Sequence, residues 1–480
     1  MNGMNVTMNT LPALLRHDKG PYLGAFMESN RLNGQIRYRG PKHLLTVGPP
    51  GANKSVGIAV PNIFDLPRSM IIMDCKGQLS AITARKRATM GKVIILNPFG
   101  MFVDKMPHLT SHGFDPMKRL KVNDDKFASN AAGIAECLIE IDAQEHQKIF
   151  PEGARNLYAA MIMWERMTKG DDASIPGVRR ALSASTEYKT IKKKKVPVSG
   201  FMKTLLDMAQ CDFPPVANRA KRIIERFSDT ASGNTSIQDK LDTALTKTDK
   251  LDEKPIARDL CGPDIDFGKF REEITTLYII LPIAELENHR IWLRLIIGTA
   301  LRELYDTPLP EPERNLPPIY FLLDELAALG RLEAIETALG AARDYGIQMH
   351  VMLQFLNQIQ THYPKLWPGF FAGAGAITCF APGDWETAEY IAKLCGQKTA
   401  MVQSTNQGTN GNNGSTSGLS WAPHGLPLIR PEDLMRLPPG VMLSMVEPEP
   451  FPFFTYAPPY PDTPYGAGLD ANPYYRGRAR

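Results

Sequence analysis

The stretch that decides the fold of this chain is Gly48-Pro49-Pro50-Gly51-Ala52-Asn53-Lys54-Ser55. It follows the apolar run 44–47 and precedes residues 56–60, which can open a helix. A strand, a glycine-rich loop and a helix in this order are typical of the phosphate-binding P-loop, where backbone N–H groups surround an anion at a helix start. Lys54 is then positioned to reach the outer phosphates of a nucleotide, and Ser55 to hold Mg²⁺. The alternative is an ordinary Gly/Pro turn.

One position of this loop departs from the P-loop pattern, because Asn53 stands where glycine usually precedes the lysine. Glycine serves there when the backbone needs a positive φ or comes close to a phosphate. Asparagine is the non-glycine residue that enters the left-handed region most readily. We therefore expect Asn53 to adopt the loop conformation, with its side chain crowding the phosphates.

Length and composition indicate a cytosolic globular protein. The chain has 480 residues, enough for roughly two or three domains, and its 43% hydrophobic and 22% charged content is ordinary. The net charge of +4 is too small to indicate a nucleic-acid partner by itself. Six scattered cysteines without a CxxC pair argue against a zinc site or a disulfide framework. No run reaches the ~18 apolar residues of a membrane span, and residues 11–15 are too short for a signal-peptide core.

Short apolar runs alternate with helical patterns along most of the chain, which predicts an α/β fold. Several runs are apolar throughout, as in strands buried on both faces of a parallel sheet. The predicted strands are His43–Val47, Met70–Met73, Val93–Leu96, Thr275–Leu281, Ile319–Leu323, Gln348–Leu353 and Ala376–Phe380.

The pattern also predicts a domain order. An N-terminal extension (1–39) precedes the first part of a nucleotide-binding domain (40–125), an inserted all-helical domain (126–262) and the second part (263–456). We expect a flexible loop at 403–418, which is rich in Asn, Gly, Ser and Thr, and a disordered Pro/Tyr/Arg tail at 457–480. The lysine run 192–195 of the insertion is either a solvated loop or a contact for nucleic acid or lipid headgroups.

A second motif completes the predicted metal site. The apolar run 319–323 ends in Asp324 and Glu325, and a carboxylate at the end of a buried strand is what a P-loop needs to hold Mg²⁺. Asp324 would hold the metal ion, and Glu325 would orient and deprotonate the attacking water. The two acids could instead cap the following helix.

Three further residues have both an ordinary and a functional interpretation. Gln354 ends a strand, where it is either a plain polar terminus or a sensor of the terminal phosphate. Arg343 is either a surface charge or an arginine finger that reaches a neighbouring subunit's site, which requires a ring. His350 is most simply a structural histidine of its strand.

Four segments together carry a family resemblance. They are Gly48–Ser55 with Val60-Pro61-Asn62, Asp74-Cys75-Lys76-Gly77, Leu323–Leu332 with Arg343–Ile347 and Leu353-Gln354, and Leu428–Leu434 with Leu437-Pro438. They resemble the coupling-protein ATPases of bacterial conjugation and type IV secretion, the TraG/TraD-like DNA pumps, over residues 40 to 456. The third segment is the most specific.

The resemblance implies a RecA-like motor domain with an inserted all-helical domain, which uses ATP and Mg²⁺. It implies a hexameric ring at the cytoplasmic face of the inner membrane that passes a relaxase-bound DNA strand, or a protein substrate, to a secretion channel. Arg343 falls at the subunit-crossing arginine and Gln354 at the phosphate-sensing glutamine. Asp74 and Lys76 belong to a motif beside the nucleotide, and the P-loop and acidic residues keep the roles given above.

The chain departs from this family at Asn53, at Gln78, where glutamate is usual, and in the absence of an apolar N-terminal anchor, so we expect a partner protein to attach it to the membrane. Two functions stay open: an ATP-driven translocase, and a docking receptor that binds nucleotide but turns it over slowly. A chromosome-segregation or repair pump of the same superfamily is disfavoured by the continuation from Asp324 to Leu332.

Overall fold

The structure of the chain is a computed structural model, which describes residues 20–28, 31–142, 148–191, 194–228, 235–310, 317–410 and 414–474. The strands in these ranges are β1 (Tyr22–Glu28), β2 (Arg31–Arg37), β3 (His43–Val47), β4 (Met70–Asp74), β5 (Lys92–Leu96), β6 (Glu187–Ile191), β7 (Lys194–Ser199), β8 (Thr275–Ile280), β9 (Ile319–Asp324), β10 (Ile347–Leu353), β11 (Ala374–Phe380), β12 (Gln397–Asn410), β13 (Gly414–Pro427), β14 (Val441–Val446) and β15 (Phe453–Tyr456).

Most of these strands form one large sheet, in the order β2-β1-β15-β14-β11-β3-β10-β9-β4-β8-β5. The strands from β11 to β5 are parallel to one another. They include every strand predicted from the apolar runs, so those predictions are confirmed within a residue or two at each end. Because the strands are parallel, the residues that follow β3, β4, β8, β9 and β10 meet at one edge of the sheet.

The parallel strands are buried on both faces, as their uniform apolar composition predicts. Side chains alternate between two hydrophobic clusters: Ile71 and Met73 face one cluster, and Met70 and Ile72 face the other. The first cluster continues into the inserted helices, and the second lies under the helices that follow β3 and β4.

The helices of the described residues are α1 (Val60–Asp65), α2 (Gln78–Ala88), α3 (Phe127–Leu138), α4 (Ile149–Lys169), α5 (Ile175–Ser183), α6 (Gly200–Ala209), α7 (Pro214–Ser228), α8 (Thr235–Lys247), α9 (Lys254–Asp259), α10 (Leu286–Asp306), α11 (Glu333–Ala341), α12 (Asn357–His362), α13 (Trp367–Ala372), α14 (Trp385–Leu394) and α15 (Pro431–Met435). Helices α3 to α9 form the insertion between β5 and β8. None of the described helices is both long and apolar enough to span a bilayer.

The insertion is not all-helical as we predicted, because β6 and β7 pair as an antiparallel hairpin within it. Proline and lysine masked the strand pattern of this stretch, whose register breaks near Tyr188. Of the lysine run, Lys194 and Lys195 begin β7, whereas positions 192 and 193 lie outside the described residues.

The N-terminal extension contributes strands to the large sheet. β1 pairs with both β2 and β15, and β15 pairs with β14, so the antiparallel side of the sheet joins residues from both ends of the chain. These strands were not predicted. β1 contains Gly24 and its pairing with β2 shifts register twice, so it lacks a regular period-2 pattern.

The predicted flexible loop at 403–418 is wrong. Its described residues belong to β12 and β13, an antiparallel hairpin in which Gln397 is opposite Pro427 and Asn410 is opposite Gly414. Main-chain hydrogen bonds form such a ladder without an apolar core, so the polar composition does not exclude strands. Residues 411–413 lie outside the described part of the chain.

The predicted disorder of the tail is wrong for residues 457–474. Two short 3-10 helices, Tyr460–Asp462 and Pro464–Gly468, lie against α1 and bury Tyr460 and Tyr465. Proline lowers the entropy that the tail loses on ordering, and the buried tyrosine rings supply apolar contact area. Residues 475–480 lie outside the described residues.

Candidate nucleotide-binding site

The glycine-rich loop leaves the carboxyl end of β3 and enters a π-helical turn, Lys54–Ala59, which continues into α1. The N–H of Gly48 donates to the carbonyl oxygen of Leu353 at 3.0 Å, which fixes the loop to the end of β10. The strand, loop and helix predicted from the sequence are therefore present in that order.

Asn53 adopts the left-handed conformation, with φ 71° and ψ 16°. This confirms the prediction that the position needs a positive φ. Asparagine is the non-glycine residue best suited to that region. The departure from glycine therefore leaves the backbone path of the loop intact.

Lys54 and Ser55 lie at the start of the π-helical turn. The Lys54 ammonium group donates to the carbonyl oxygens of Gly48 and Pro49, the latter at 3.1 Å. Burial lowers the pKa of Lys54, while the nearby Asp324 and Glu325 oppose that shift. Ser55 Oγ donates to Asp324 Oδ2 at 3.3 Å, so the P-loop and the end of β9 are in direct contact.

Asp324 ends β9 and faces both P-loop residues. Desolvation by the surrounding protein raises the pKa of this carboxyl group to about 6, and Lys54 acts in the opposite direction. Lys54 thus favours the ionised form of Asp324, which is the form that a metal ligand needs.

Glu325 follows in an unusual backbone conformation, with φ 72° and ψ 57°. Its carboxylate accepts hydrogen bonds from the side-chain amides of Gln354 and Gln358. Gln358 Oε1 in turn accepts the N–H of Gln354 at 2.7 Å. A non-glycine residue held in this region by a network of amides is typical of functional sites.

The sequence did not point to Gln358. It lies four residues after Gln354 in α12, so the two amides reach Glu325 from a strand end and from the next helix. The spacing of two glutamines in a strand–helix turn was a usable signal, but polar residues at helix starts are too common for it to stand out.

The segment after β4 contributes two different kinds of residue. Asp74 is buried and accepts the N–H and Oγ–H of Ser80, at 2.7 and 2.9 Å, so it anchors the start of α2. Burial raises the pKa of Asp74. Lys76 is exposed at the rim of the site. The thiol of Cys75 contacts the carbonyl oxygen of Asp324 at 3.7 Å.

These elements enclose a cavity of about 520 Å³ at the carboxyl edge of the sheet. Of the predicted site residues, Pro50 to Ser55, Lys76, Asp324, Glu325 and Gln354 line it, whereas Gly48, Pro49 and Asp74 do not. Residues that were not among the predicted site residues complete the lining: Val56, Cys75, Gln78, Ile283, Leu286, Glu287, Arg290, Ala327, Ala328 and His362.

Arg343 is not brought into this cavity. It lies in a 3-10 helix, Ala342–Tyr345, just before the amino end of β10, and its side chain is 48% exposed and paired with Asp344 at 3.1 Å. Since the cavity is at the carboxyl ends of the strands, Arg343 lies at the opposite edge of the sheet. It is available to another molecule and does not reach its own chain's site.

A family model for type IV secretory system conjugative DNA transfer matches residues 8–446. The chain belongs to this family. The conjugal transfer protein TraG of Rhizobium radiobacter is 25% identical to it, over 83% of this chain and 59% of TraG. TraG of Escherichia coli is 21% identical (87% and 65%), and VirD4 of Agrobacterium fabrum is 24% identical (87% and 59%). The chain thus spans about six tenths of the length of these relatives.

Solved structures of the plasmid coupling protein TrwB have the same fold. TrwB in complex with the ATP analogue ADPNP gives a TM-score of 0.67 at 15% identity, over 95% of this chain and 93% of TrwB. TrwB with ADP and Mg²⁺ gives 0.61, at 15% identity over 87% and 85%. The similarity supports a RecA-like P-loop domain with a helical domain, as the resemblance implied.

This chain has residues that fit a Mg²⁺ ion bound together with the phosphates of a nucleotide. No group of three or more His, Cys, Asp or Glu in the described ranges would hold a metal ion alone. Mg²⁺ at phosphates needs fewer protein ligands, because water and phosphate oxygens fill its octahedral shell. Ser55 Oγ and Asp324 Oδ2 are 3.3 Å apart, close to the ~3 Å between neighbouring ligands of such a shell with ~2.1 Å bonds.

Proposed function

We propose that this chain is an ATP-driven coupling protein of conjugative transfer. It recruits relaxase-bound single-stranded DNA, or a protein substrate, and delivers it to the channel of a type IV secretion system. The observation that carries the proposal is the cavity that brings Lys54, Ser55, Asp324 and Glu325 together in a chain of the conjugative DNA-transfer family.

The residues of the cavity divide the chemistry of hydrolysis among them. Lys54 exchanges its two carbonyl partners for phosphate oxygens. Ser55 and Asp324 would hold Mg²⁺, which neutralises charge on the phosphates when bound. Glu325 accepts a proton from the attacking water, and the amides of Gln354 and Gln358 hold its carboxylate in place. Since Gln354 contacts Glu325 and directly follows β10, its position can respond to whether the terminal phosphate is present, and β10 would transmit that change.

The proposal includes a ring of subunits, with six as the expected number. Arg343 lies at the edge of the sheet opposite the cavity and is exposed, so it suits contact with the nucleotide of a neighbour. An arginine supplied in this way stabilises charge on the transferred phosphoryl group. Loops facing the centre of the ring would hold the DNA backbone, with an affinity that falls steeply with salt.

Attachment to the cytoplasmic face of the inner membrane is part of the same proposal. The TraG relatives are named conjugal transfer proteins, and in this proposal a partner protein holds this chain beside the channel. Co-purification from membranes identifies that partner and the cargo: a relaxase supports DNA transfer, whereas effector proteins support protein export.

The test is ATP hydrolysis by the purified chain, with and without single-stranded DNA, in the wild type and in Glu325→Gln. We expect the variant to lose at least about 100-fold in kcat while it still binds ATP. Glu386→Gln removes an exposed carboxylate outside the cavity and is the control. Hydrolysis that is absent from the wild type, or that survives in Glu325→Gln, contradicts the motor.

One observation keeps a second function in view: Asn53 places a side chain where the family has glycine, in the lining of the cavity. In a docking receptor this side chain would hold turnover low, and nucleotide would serve assembly or substrate recruitment. Asn53→Gly separates the two. A large rise in kcat favours the receptor with impaired turnover, and an unchanged kcat favours a motor that tolerates asparagine.

A further inference from the structure

The nucleotide cavity has a wall that no motif of the sequence predicted. It consists of the segment after β8 and the first turn of α10, which contribute Ile283, Leu286, Glu287 and Arg290 to the lining. Helix α10 is kinked there, because His289 has non-helical angles of φ −116° and ψ 18°. The first turn of α10 is therefore set at an angle to the rest of the helix, with Arg290 just after the kink.

The position of this wall relates it to the terminal phosphate. In the sheet order β3-β10-β9-β4-β8, the segment after β8 lies beyond the acidic pair as seen from the P-loop. Phosphates held by Lys54 and Ser55, beside a Mg²⁺ ion that Asp324 would hold, would extend toward that segment. Arg290 thus lines the side of the cavity that the last phosphate of ATP would approach.

Arg290 is only loosely held in the structure. Its side chain is 35% exposed, and its Nη1 lies 3.6 Å from Glu140 Oε2, which is the one ion pair of Arg290 within the described residues. At 3.6 Å the pair is longer than a direct hydrogen bond. A partly exposed ion pair of this kind contributes at most about 1 kcal/mol, so Arg290 can exchange it for a phosphate.

Glu140 does not depend on Arg290 for its own charge balance. Its Oε1 accepts the N–H of Arg331 at 2.8 Å and lies 3.6 Å from Nη1 of Arg294. Arg294 is buried and fixed, since it donates to the carbonyl oxygens of Leu329 and Cys137 at 3.1 Å. When Arg290 leaves, Glu140 keeps one guanidinium and one backbone donor.

Glu140 also links the cavity to the inserted helices. It follows the end of α3, and its carbonyl oxygen accepts a hydrogen bond from Lys247 of α8 at 2.7 Å. It packs against Gly330, where a Cβ would lie 2.3 Å from Oε1, so glycine is needed for this approach. One carboxylate of the insertion therefore touches both the segment after the acidic pair and the arginine of the opposite wall.

We propose that Arg290 is a second arginine of the reaction, supplied by the same chain, which binds the terminal phosphate of ATP, and that Glu140 positions it in the nucleotide-free chain by holding it back from the phosphate site. The inference rests on the proposed ATPase function. During hydrolysis the water oxygen forms a bond to the terminal phosphorus and the bond to the bridging oxygen breaks, which releases ADP and phosphate. The water proton passes to Glu325, while Arg290 keeps its protons and donates two N–H groups to phosphate oxygens.

The first test compares Arg290→Ala with Arg302→Ala. Both arginines belong to α10 and pair with a carboxylate of the α3 region, but Arg302 pairs with Glu136 and does not line the cavity. We expect Arg290→Ala to lower kcat by roughly 100-fold and the affinity for ADPNP by roughly 10-fold. Its affinity for ADP, which lacks the terminal phosphate, is expected to stay the same. Arg302→Ala should leave all three values unchanged.

The second test addresses the positioning role of Glu140. Glu140→Gln should release Arg290 and strengthen ADPNP binding by roughly 3- to 10-fold. In the double variant Glu140→Gln/Arg290→Ala that gain should vanish, whereas Glu136→Gln, alone or with Arg290→Ala, should change nothing further. A gain that persists without Arg290 overturns the positioning role.

The outcomes separate this inference from the proposed function. If the wild type hydrolyses ATP through Glu325 but Arg290→Ala behaves like Arg302→Ala, Arg290 has no part in the reaction and the motor stands. If Arg290→Ala weakens ADP and ADPNP equally, it does not bind the terminal phosphate. If the wild type neither binds nor hydrolyses ATP, both proposals fail. Thermal unfolding and circular dichroism establish that each variant is folded.

Discussion

The two walls of the nucleotide cavity are built in different ways. One wall consists of the P-loop, the acidic pair and Gln354, and its chemistry is fixed by short stretches of sequence that follow β3, β9 and β10. The other wall is the start of α10, whose Arg290 is tied to Glu140 of the inserted helices. The first wall can bind a nucleotide with local residues alone. The second depends on where the insertion lies, because Glu140 belongs to the insertion.

The largest expected difference between the two walls is in folding stability, and it concerns Asp324 of the first wall. Its pKa is raised to about 6 by burial, so ionisation above that pH costs the folded state stability. We expect Asp324→Asn to stabilise the nucleotide-free chain by about 2 kcal/mol at pH 7. The advantage should shrink as the pH falls through 6 and vanish below about 4, where the wild-type carboxyl group is protonated in the unfolded chain as well as in the folded one. The midpoint of thermal unfolding at pH 7 and pH 5 measures it.

The matched control is Glu287→Gln, because Glu287 is an exposed carboxylate of the second wall. It should change the midpoint at neither pH. Equal shifts for Asp324→Asn and Glu287→Gln would mean that the first wall stores no more electrostatic strain than the second.

A smaller effect is expected at Gln358, which touches Glu325 but does not line the cavity. Gln358→Ala should lower kcat by about 10-fold and leave the ATP dissociation constant unchanged, because only the orientation of Glu325 is lost. Gln360→Ala is the control, since Gln360 lies on the same helix and pairs with the surface residue Glu386. A weakened ATP affinity in Gln358→Ala would place this amide in binding and not in positioning.

The smallest effect concerns the backbone of the P-loop. Asn53→Ala should destabilise the chain by about 1 kcal/mol, because a backbone φ of 71° costs alanine more conformational free energy than it costs asparagine. Asn53→Gly keeps the conformation and should be neutral in thermal unfolding. If alanine is tolerated as well as glycine, the left-handed turn contributes nothing to the first wall.

The sequence predicted those features that depend on local composition. The parallel strands such as Ile319–Asp324 were visible because burial on both faces leaves few polar residues in them. Asn53 was predicted in the left-handed region because glycine and asparagine share that property. Asp324 and Glu325 were predicted as site residues because charged side chains at the end of a buried strand are costly unless they have a partner or a function.

The features that the sequence did not predict depend on contacts between distant segments. Arg290 is separated from Lys54 by the whole insertion, and only the pairing of β8 with β4 brings α10 to the cavity. Strands β1 and β15 pair across almost the full length of the chain, and neither has a regular alternation of polar and apolar residues in its sequence. The 397–427 hairpin and the ordered tail have compositions that also suit unstructured segments, so only their tertiary or cross-strand partners distinguish them.

The ordered tail has a practical consequence for experiments on this chain. Tyr474 packs edge-on against Phe102, and its hydroxyl donates to the carbonyl oxygen of Lys76 at 2.7 Å, at the rim of the nucleotide cavity. A bulky fusion joined directly after this tyrosine would start beside Lys76, at the rim of the nucleotide cavity. A small fluorophore at the same point would instead report the opening of the cavity through a change in the quenching of its emission.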